Sequence, residues 1–336
     1  MDTKSLITST KPVNESEEIL ETSLRPSNFD EIIGRVLEKK NLVMMIESAK
    51  MRNKSLDHVL FHGPPGLGKT SFAYVIAKEM GTAIYTTNGS VLDKVGDLAA
   101  ILTSLEPNAI LFIDEIHRLK TQIEEMLYPA MEDKVLDIII GKGPNAKTLR
   151  IDLPEFTVIG ATTKLSMLSS PLRDRFGMNF RLDFYNDDEL TQLVLQKAKK
   201  LGVKIDQDAA VEIAKRSRMT ARIAIRILKR VRDMMIVNSR NEIDVQAVKD
   251  TLGMLEVDQE GLDNLDRQLI KIILFDFDNK PVGLNTLSIA LSEEAETIES
   301  VYEPFLIKKG FLKRTPRGRV VTDKGMKLFN FQETIE

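Results

Sequence analysis

The 336-residue chain has no cysteine and no tryptophan, only three histidines, and 6% aromatic residues. Without cysteine there is neither a disulfide nor a thiolate metal site, and His58, His62 and His117 lack the close spacing of a zinc motif. A reducing, intracellular setting is expected. No apolar run approaches the roughly 18 residues that cross a bilayer. The polar start MDTKSLITSTKPVNESEE is unlike a signal peptide, so a cytoplasmic protein with a mobile arm over residues 1–23 is expected. A formal net charge of -3 excludes a wholly basic nucleic-acid binder but leaves room for a local basic patch. With 43% hydrophobic and 29% charged residues at this length, two or three domains are expected.

What the chain does contain is concentrated in short blocks. HGPPGLGKTS, from His62 to Ser71, carries the pattern G-x-x-x-x-G-K-T over Gly63–Thr70. The apolar run Val59, Leu60, Phe61 precedes it and the helix-like SFAYVIAKEM follows. Backbone N–H groups wrap a phosphate chain only where side chains leave the approach open, which is the use of Gly66 and Gly68. Lys69 is expected at the β- and γ-phosphates and Thr70 on Mg²⁺. The alternative is a glycine-rich turn without chemistry.

AILFIDEIH reads as a buried strand, Ile110–Ile113, ending in Asp114 and Glu115. At the carboxyl end of a parallel strand Asp114 can hold Mg²⁺ while Glu115 polarises a water. Taken alone, such an acidic pair is as often a helix cap. His117 reads as structural or as a helix-start hydrogen-bonder, and His58 and His62 as flanking a strand without partners. FTVIGATTK ends a further strand in Thr162 and Thr163, either of which offers a hydroxyl to a γ-phosphate or a lytic water. In SSPLRDRFG a proline opens a short helix before Arg173 and Arg175, which by themselves read as solvated.

Strands alternating with helices from Asn28 to Phe184 predict an α/β domain with a parallel sheet, residues 24–184. A helical segment, 185–258, follows, with Asp187 and Asp188 as candidate caps and Ile223, Ile227 and Val231 on one apolar face. The last segment, 259–336, reads as short helices and a small hairpin. In RTPRGR, Pro316 and Gly318 can turn the chain so that Arg314, Arg317 and Arg319 project into a groove, the arrangement of a winged-helix wing on DNA; the alternative is a solvated basic face. Inside the first domain KVLDIIIGKGPNAKTLRIDLPEF predicts a β-hairpin near 134–153, turning at Gly141, Gly143, Pro144 and Asn145. One hairpin face carries Leu149 and Ile151, either packed on the host domain or kept for a partner.

The set Gly63–Thr70, Asp114–Glu115, Thr162–Thr163 and Arg175 resembles the AAA+ ATPases. LRPSNFDEIIG, GDLAAILTSLEP, EEMLYPAMED, SPLRDRFG and RTPRGR, spread over residues 24–319, resemble the RuvB family of bacterial Holliday-junction branch-migration motors. The resemblance implies an AAA+ large domain, a helical lid and a winged helix. It implies ATP and Mg²⁺ as cofactors, a homohexameric ring around duplex DNA, and no membrane. The implied partners are a RuvA-type junction-binding protein, docked at Leu149 and Ile151, and a RuvC-type resolvase in the same pathway.

By position the resemblance places Leu24 and Arg25 at the adenine and Gly66, Gly68, Lys69, Thr70 and Ser71 at phosphate and metal. Thr163 becomes the sensing hydroxyl, Arg175 the finger inserted into a neighbour's site, and Tyr185 the entry to the lid. Arg222 becomes the lid arginine, although Met219 and Ala221 stand where the family usually has glycine and proline. Glu132, Asp133 and Lys134 fall near the nucleotide. Two other readings remain open: a protein unfoldase, disfavoured because TTNGSVLDKVGDLAA has no aromatic pore residue, and a clamp-loader-like or initiator-like ATP switch.

Overall fold

Runs rich in Val, Ile, Leu and Phe form the central strands of the sheet, covered on both faces as a parallel sheet demands, whereas the two edge strands are partly exposed. The computed structural model describes residues 23–140 and 147–330. In chain order the strands of the first domain are β1 (Val59–His62), β2 (Ile84–Asn88), β3 (Ala109–Asp114), β4 (Val135–Ile140), β5 (Lys147–Asp152), β6 (Phe156–Thr162) and β7 (Met178–Arg181). Five of them make one parallel sheet in the order β2-β3-β6-β1-β7. All seven residues of β6 are buried, and Ala109–Ile113 of β3 likewise, so the polar ends of these two strands stand out against apolar interiors. The flanking helices are α1 (Val36–Met51), α2 (Lys69–Met80), α3 (Val95–Thr103), α4 (Thr121–Glu132) and the short α5 (Ser170–Asp174). Pro171 sits in the first turn of α5, as the sequence predicts, and the Ser169 side chain caps the helix. β4 and β5 form the expected antiparallel hairpin, Leu136 opposite Ile151 and Ile138 opposite Leu149. Its turn, 141–146, and the amino-terminal arm up to residue 22 lie outside the described residues.

The chain separates into two compact units. Among the described residues, one comprises Arg25–Gly63 and Gly68–Asp183; the other comprises residues 23–24, Pro64–Leu67 and residues 184–330. In the second unit come α6 (Asp187–Lys200), α7 (Gln207–Lys215), α8 (Ala221–Val237) and α9 (Val245–Met254). The cap of α6 is Asn186 rather than Asp187 or Asp188: its side chain accepts the Glu189 N–H at 2.8 Å while Glu189 accepts the Asn186 N–H at 3.0 Å. The two aspartates fall inside the first turn, where their charge faces the positive end of the helix. Ile223, Ile227 and Val231 are buried along α8 as expected.

The final segment holds α10 (Asn264–Lys271), α11 (Leu284–Leu291), a helical stretch over 295–309 ending in α12 (Glu303–Lys309), the hairpin β8 (Leu312–Thr315) and β9 (Gly318–Val321), and α13 (Asp323–Asn330). Leu269, Ile273, Leu287, Ile298, Phe305 and Phe311 fill its core. Gly318 opens β9 at φ 142°, and a Cβ there would lie 2.4 Å from the Val282 carbonyl oxygen, so glycine is required for Val282 to bridge to Arg319. Among the described residues no helix is long and apolar enough to cross a membrane.

Candidate active site

The loop between β1 and α2 turns by means of glycine. Gly66 and Gly68 have φ of 78° and 95°, left-handed values that any side chain resists, and Gly68 directly precedes the first turn of α2. Successive N–H groups of such a loop, at the amino end of a helix, form an anion cradle. Lys69 begins α2 with its side chain buried, and its Nζ donates to the Gly63 carbonyl at 2.7 Å, so the ammonium reaches back across the loop. Thr70 and Ser71 are partly exposed in the same turn.

The carboxyl ends of β3 and β6 supply the acidic edge. The Asp114 carboxylate accepts the Glu115 N–H at 2.9 Å, and its main chain pairs with Asn88 of β2. Thr162 is fully buried, with Oγ1 2.9 Å from His117 Nδ1, and it accepts the Lys164 N–H at 2.9 Å. Thr163 is the hydroxyl that meets the acid: Oγ1 donates to Glu115 Oε2 at 3.1 Å. Burial raises the Glu115 carboxyl above the usual carboxylate range, with the Asp114 charge adding to the shift; the Thr163 hydrogen bond and Lys69 act in the opposite sense.

Arg175 lies at the other end of the sheet. It follows α5, three residues ahead of Met178, whose N–H donates to His58 just before β1. Its guanidinium donates to Glu132 at 2.9 Å and to the Pro171 carbonyl at 2.8 Å, and stacks on Tyr128 at 4.6 Å. Lys134 sits at the same end, bonded to the Met131 carbonyl at 2.5 Å and lying 5.1 Å from the Phe156 ring centre. Within one chain, therefore, Glu132, Asp133 and Lys134 are at the amino ends of the strands and the phosphate loop at their carboxyl ends. That corrects any placement of them beside this chain's own nucleotide. His58 has partners after all: its Nδ1 accepts the Val158 N–H at 2.8 Å and its Nε2 lies 3.0 Å from the Met131 carbonyl, an N–H donor there once Nδ1 is an acceptor. Burial lowers its pKa to about 4, which keeps it neutral.

In the second unit Tyr185 is buried, its hydroxyl 3.4 Å from the Leu67 carbonyl and its N–H donating to Met219 at 3.0 Å. The Arg222 N–H donates to the Gly66 carbonyl at 3.2 Å, and a Cβ on Gly66 would come within 2.9 Å of the Arg222 Cβ. Gly66 is thus glycine for two reasons, its left-handed φ and this close approach. The departure at Met219 and Ala221 leaves the backbone as glycine and proline would shape it. Met219 keeps φ 58° and Ala221 is the first residue of α8, behind the cap Thr220. The Met219 side chain packs on the winged-helix core, an apolar contact that glycine cannot make. Leu24 is buried, and Arg25, in the other unit, stacks on Tyr74 at 4.6 Å.

Two sets of expected contact residues divide. On the wing, Arg314 and Arg317 are exposed, but Arg319 is buried and donates to both carboxylate oxygens of Glu303, at 2.5 and 3.1 Å. Arg319 and Arg314 are cross-strand partners whose acids, Glu303 and Glu299, stand one helical turn apart; the Arg314–Glu299 pair, at 3.2 Å, is the solvent-facing one. Arg319 is removed from the DNA-contact set because a buried cation held by a buried carboxylate serves the domain's interior. On the hairpin, Ile151 packs with Ile138 against the host core and is corrected to a packing residue, whereas Leu149 is 46% exposed.

Residues with little sequence signal also matter. His117 joins Thr162 to Glu115. Arg218, buried at φ 50°, pairs with Asp266 of α10 and lies 4.4 Å from the Phe305 ring centre, tying the residue before Met219 to the winged-helix core. The only available signals were the two-residue step from Glu115 to His117 and, for Arg218, an acid distant in sequence.

A parallel sheet in this order, a glycine phosphate loop opening a helix, an acidic pair on the neighbouring strand and a helical segment after the last strand define a nucleotide-binding P-loop ATPase of the AAA+ class. Residues 24–182 match the family model of the Holliday junction DNA helicase RuvB P-loop domain, 185–258 that of the RuvB AAA lid domain, and 259–330 that of the RuvB C-terminal winged helix domain. A protein of Fusobacterium nucleatum subsp. nucleatum, "Holliday junction branch migration complex subunit RuvB", is 56% identical over 310 residues, covering 92% of this chain and 93% of that one. The RuvB Holliday junction branch migration motor of Thermotoga maritima superposes with a TM-score of 0.84 at 50% identity, over 92% of this chain and 98% of that one. A lysine-to-arginine variant of the Thermotoga maritima protein gives 0.85 at 50% identity, over 91% and 98%. The chain belongs to the RuvB family.

Proposed function

We propose that this chain is an ATP-driven DNA motor that encircles duplex DNA as a ring of six copies and drives branch migration of Holliday junctions in recombination and repair, within the cytoplasm. The observation that carries the shared-site part of this reading is the separation of Arg175 from the phosphate loop. The two lie at opposite ends of β1, a four-residue strand that spans roughly 13 Å, so a guanidinium needed at the phosphates must come from another copy. Glu132 and Tyr128, which hold Arg175, then belong to the face that meets the neighbour.

Within one copy Lys69 and the loop N–H groups hold the phosphates, and Glu115 polarises the attacking water while Thr163 fixes its carboxylate. Among the described residues no group of three or more His, Cys, Asp or Glu side chains stands ready for a metal. This fits Mg²⁺, which needs only Thr70 and Asp114 from the protein and takes its other ligands from phosphate oxygens and water. When bound, the ion neutralises developing phosphate charge. Arg222 and Tyr185 connect the loop carbonyls of Gly66 and Leu67 to the lid, the contact through which nucleotide state reaches the rest of that unit. Leu24 and Arg25 complete the adenine end. Arg314 and Arg317 on the wing meet DNA phosphates, and Leu149 offers the exposed apolar contact for a RuvA-type partner, with a RuvC-type resolvase acting on the same junction.

The test is ATP-dependent branch migration on a synthetic four-way junction, with and without the junction-binding partner. Lys69→Ala should lose nucleotide affinity and Glu115→Gln should keep it while losing hydrolysis. Arg175→Ala should bind ATP yet turn over on the order of 10³-fold more slowly in the ring. Rings mixed from Lys69→Ala and Arg175→Ala chains should regain part of the activity. No recovery in demonstrably mixed rings would refute the shared site.

A further inference from the structure

Glu115 is held in an unusual way. It leaves β3 at φ 46°, a left-handed conformation that residues with a Cβ avoid. Gly89 makes room for it, since a Cβ there would lie 2.5 Å from the Glu115 carbonyl oxygen. The carboxylate is then gripped through one oxygen. Thr163 Oγ1 donates to Oε2 at 3.1 Å, and His117 Nδ1 lies 3.3 Å from the same Oε2.

His117 is almost wholly buried in the short turn Ile116–Arg118, and its Nδ1 is also 2.9 Å from Thr162 Oγ1. The tautomer follows from these neighbours. A lone pair on Nδ1 would face the lone pairs of a carboxylate oxygen, whereas an Nδ1–H has two acceptors within reach. Thr162 Oγ1 has acceptor capacity for it beside the Lys164 N–H that it already accepts at 2.9 Å. The imidazole is anchored by a residue deep in β6 and directed at the acid.

We infer that His117 is a positioning residue for Glu115: its Nδ1–H, shared between Thr162 Oγ1 and Glu115 Oε2, commits Oε2 to protein donors and leaves Oε1 as the oxygen that takes the water proton. The inference rests on the reading that Glu115 polarises the attacking water. A carboxylate fixed by two donors loses its alternative side-chain orientations before the water arrives, which is the preorganisation that speeds proton transfer. Thr163 alone would leave the group free to swing about a single hydrogen bond. The Nδ1 of His117 is spent on Thr162 and Glu115, so its effect runs through the Glu115 carboxylate and falls on turnover and not on nucleotide affinity.

The experiment uses the full chain. ATP hydrolysis with and without duplex DNA is measured beside nucleotide binding for His117→Ala, His117→Asn and His117→Gln, each also in the Glu115→Gln background under single-turnover conditions. Loss of a hydrogen bond to a charged group should lower kcat by about 10- to 100-fold in His117→Ala, with the nucleotide Kd unchanged. Asparagine places an amide nitrogen where Nδ1 stands, whereas the longer glutamine side chain places its amide nearer the Nε2 position. His117→Asn should therefore recover most of kcat and His117→Gln little. The two have similar stability demands, so their comparison decides the matter even if His117→Ala fails to fold. With Glu115→Gln already present, removal of His117 should cost nothing further. Equal losses in the Asn and Gln variants, or an additional loss on top of Glu115→Gln, would assign His117 to the fold alone and overturn the inference. Wild-type turnover by Glu115→Gln itself would instead remove Glu115 from the mechanism, a failure visible before any His117 variant is made.

Discussion

Arg319→Ala should unfasten the wing rather than weaken a phosphate contact. The Arg319 and Glu303 side chains are 7% and 2% exposed and joined at 2.5 Å. Removing the cation leaves a carboxylate in the interior without its partner, and breaking such a pair costs about 3–5 kcal/mol. The main-chain bridge from Val282 to Arg319 ties that cost to the packing of β9. Because a chain of several units does not unfold in one step, the loss is best read locally, by hydrogen exchange of the β8 and β9 amides in the full protein. Local opening easier by that amount corresponds to protection lower by roughly 10²- to 10³-fold or more. Replacing both partners by leucine should restore much of it, since an apolar pair of suitable size is often as stable as the ions. Arg317→Ala is the contrasting variant: exposed at the turn, it should leave exchange untouched while reducing the salt slope of duplex binding by about 0.9. If Arg319→Ala instead kept full wing protection and flattened the salt slope, the buried-pair reasoning would be refuted and Arg319 returned to the DNA-contact set.

Glu299→Gln should tighten duplex binding at low salt and steepen its salt dependence, because Arg314 loses an intramolecular carboxylate that competes with phosphate; an unchanged slope would mean that Arg314 does not reach the backbone. At position 219, Met→Gly should be more stable than Met→Ala by about 1 kcal/mol, since both lose the contact with the winged-helix core but only glycine relieves φ 58°; hydrogen exchange of the α8 amides in the two variants decides this. His58 is neutral when folded, with a pKa lowered to about 4, so the unfolded chain binds a proton that the folded one refuses. Its contribution is complete above the ordinary histidine pKa, about 6.5, and is lost as pH falls from there toward 4. His58→Gln, which cannot titrate, should flatten this part of a stability-against-pH curve. Leu149→Asp should leave basal ATP hydrolysis intact and abolish stimulation by the junction-binding partner, whereas Ile151→Asp should also destabilise the domain that it packs on.

Sequence alone carried this protein far because its chemistry is local. A phosphate cradle needs bare backbone at fixed offsets, so Gly66, Gly68, Lys69 and Thr70 are legible as a string. A buried strand that must end in acid shows itself as AILFIDE. Strands buried on both faces, the existence of the hairpin and the apolar face of α8 follow from hydrophobic period in the same way. Partners distant in the chain were not legible. Whether an arginine in RTPRGR faces DNA or Glu303 depends on which residues alternate inward along β9 and on a helix that ends before the strand begins. Arg218 finds Asp266 only because two left-handed residues in succession turn the chain there, and nothing in SRMTAR announces them. His117 illustrates the limit at its narrowest: two residues from Glu115 in sequence, it becomes part of the acid's environment only when β6 brings Thr162 and Thr163 alongside β3. Residue type and spacing determine which chemistry is possible; burial and long-range pairing determine which of the eligible side chains are free to perform it, because a charge or hydroxyl already satisfied in the interior is unavailable to a ligand.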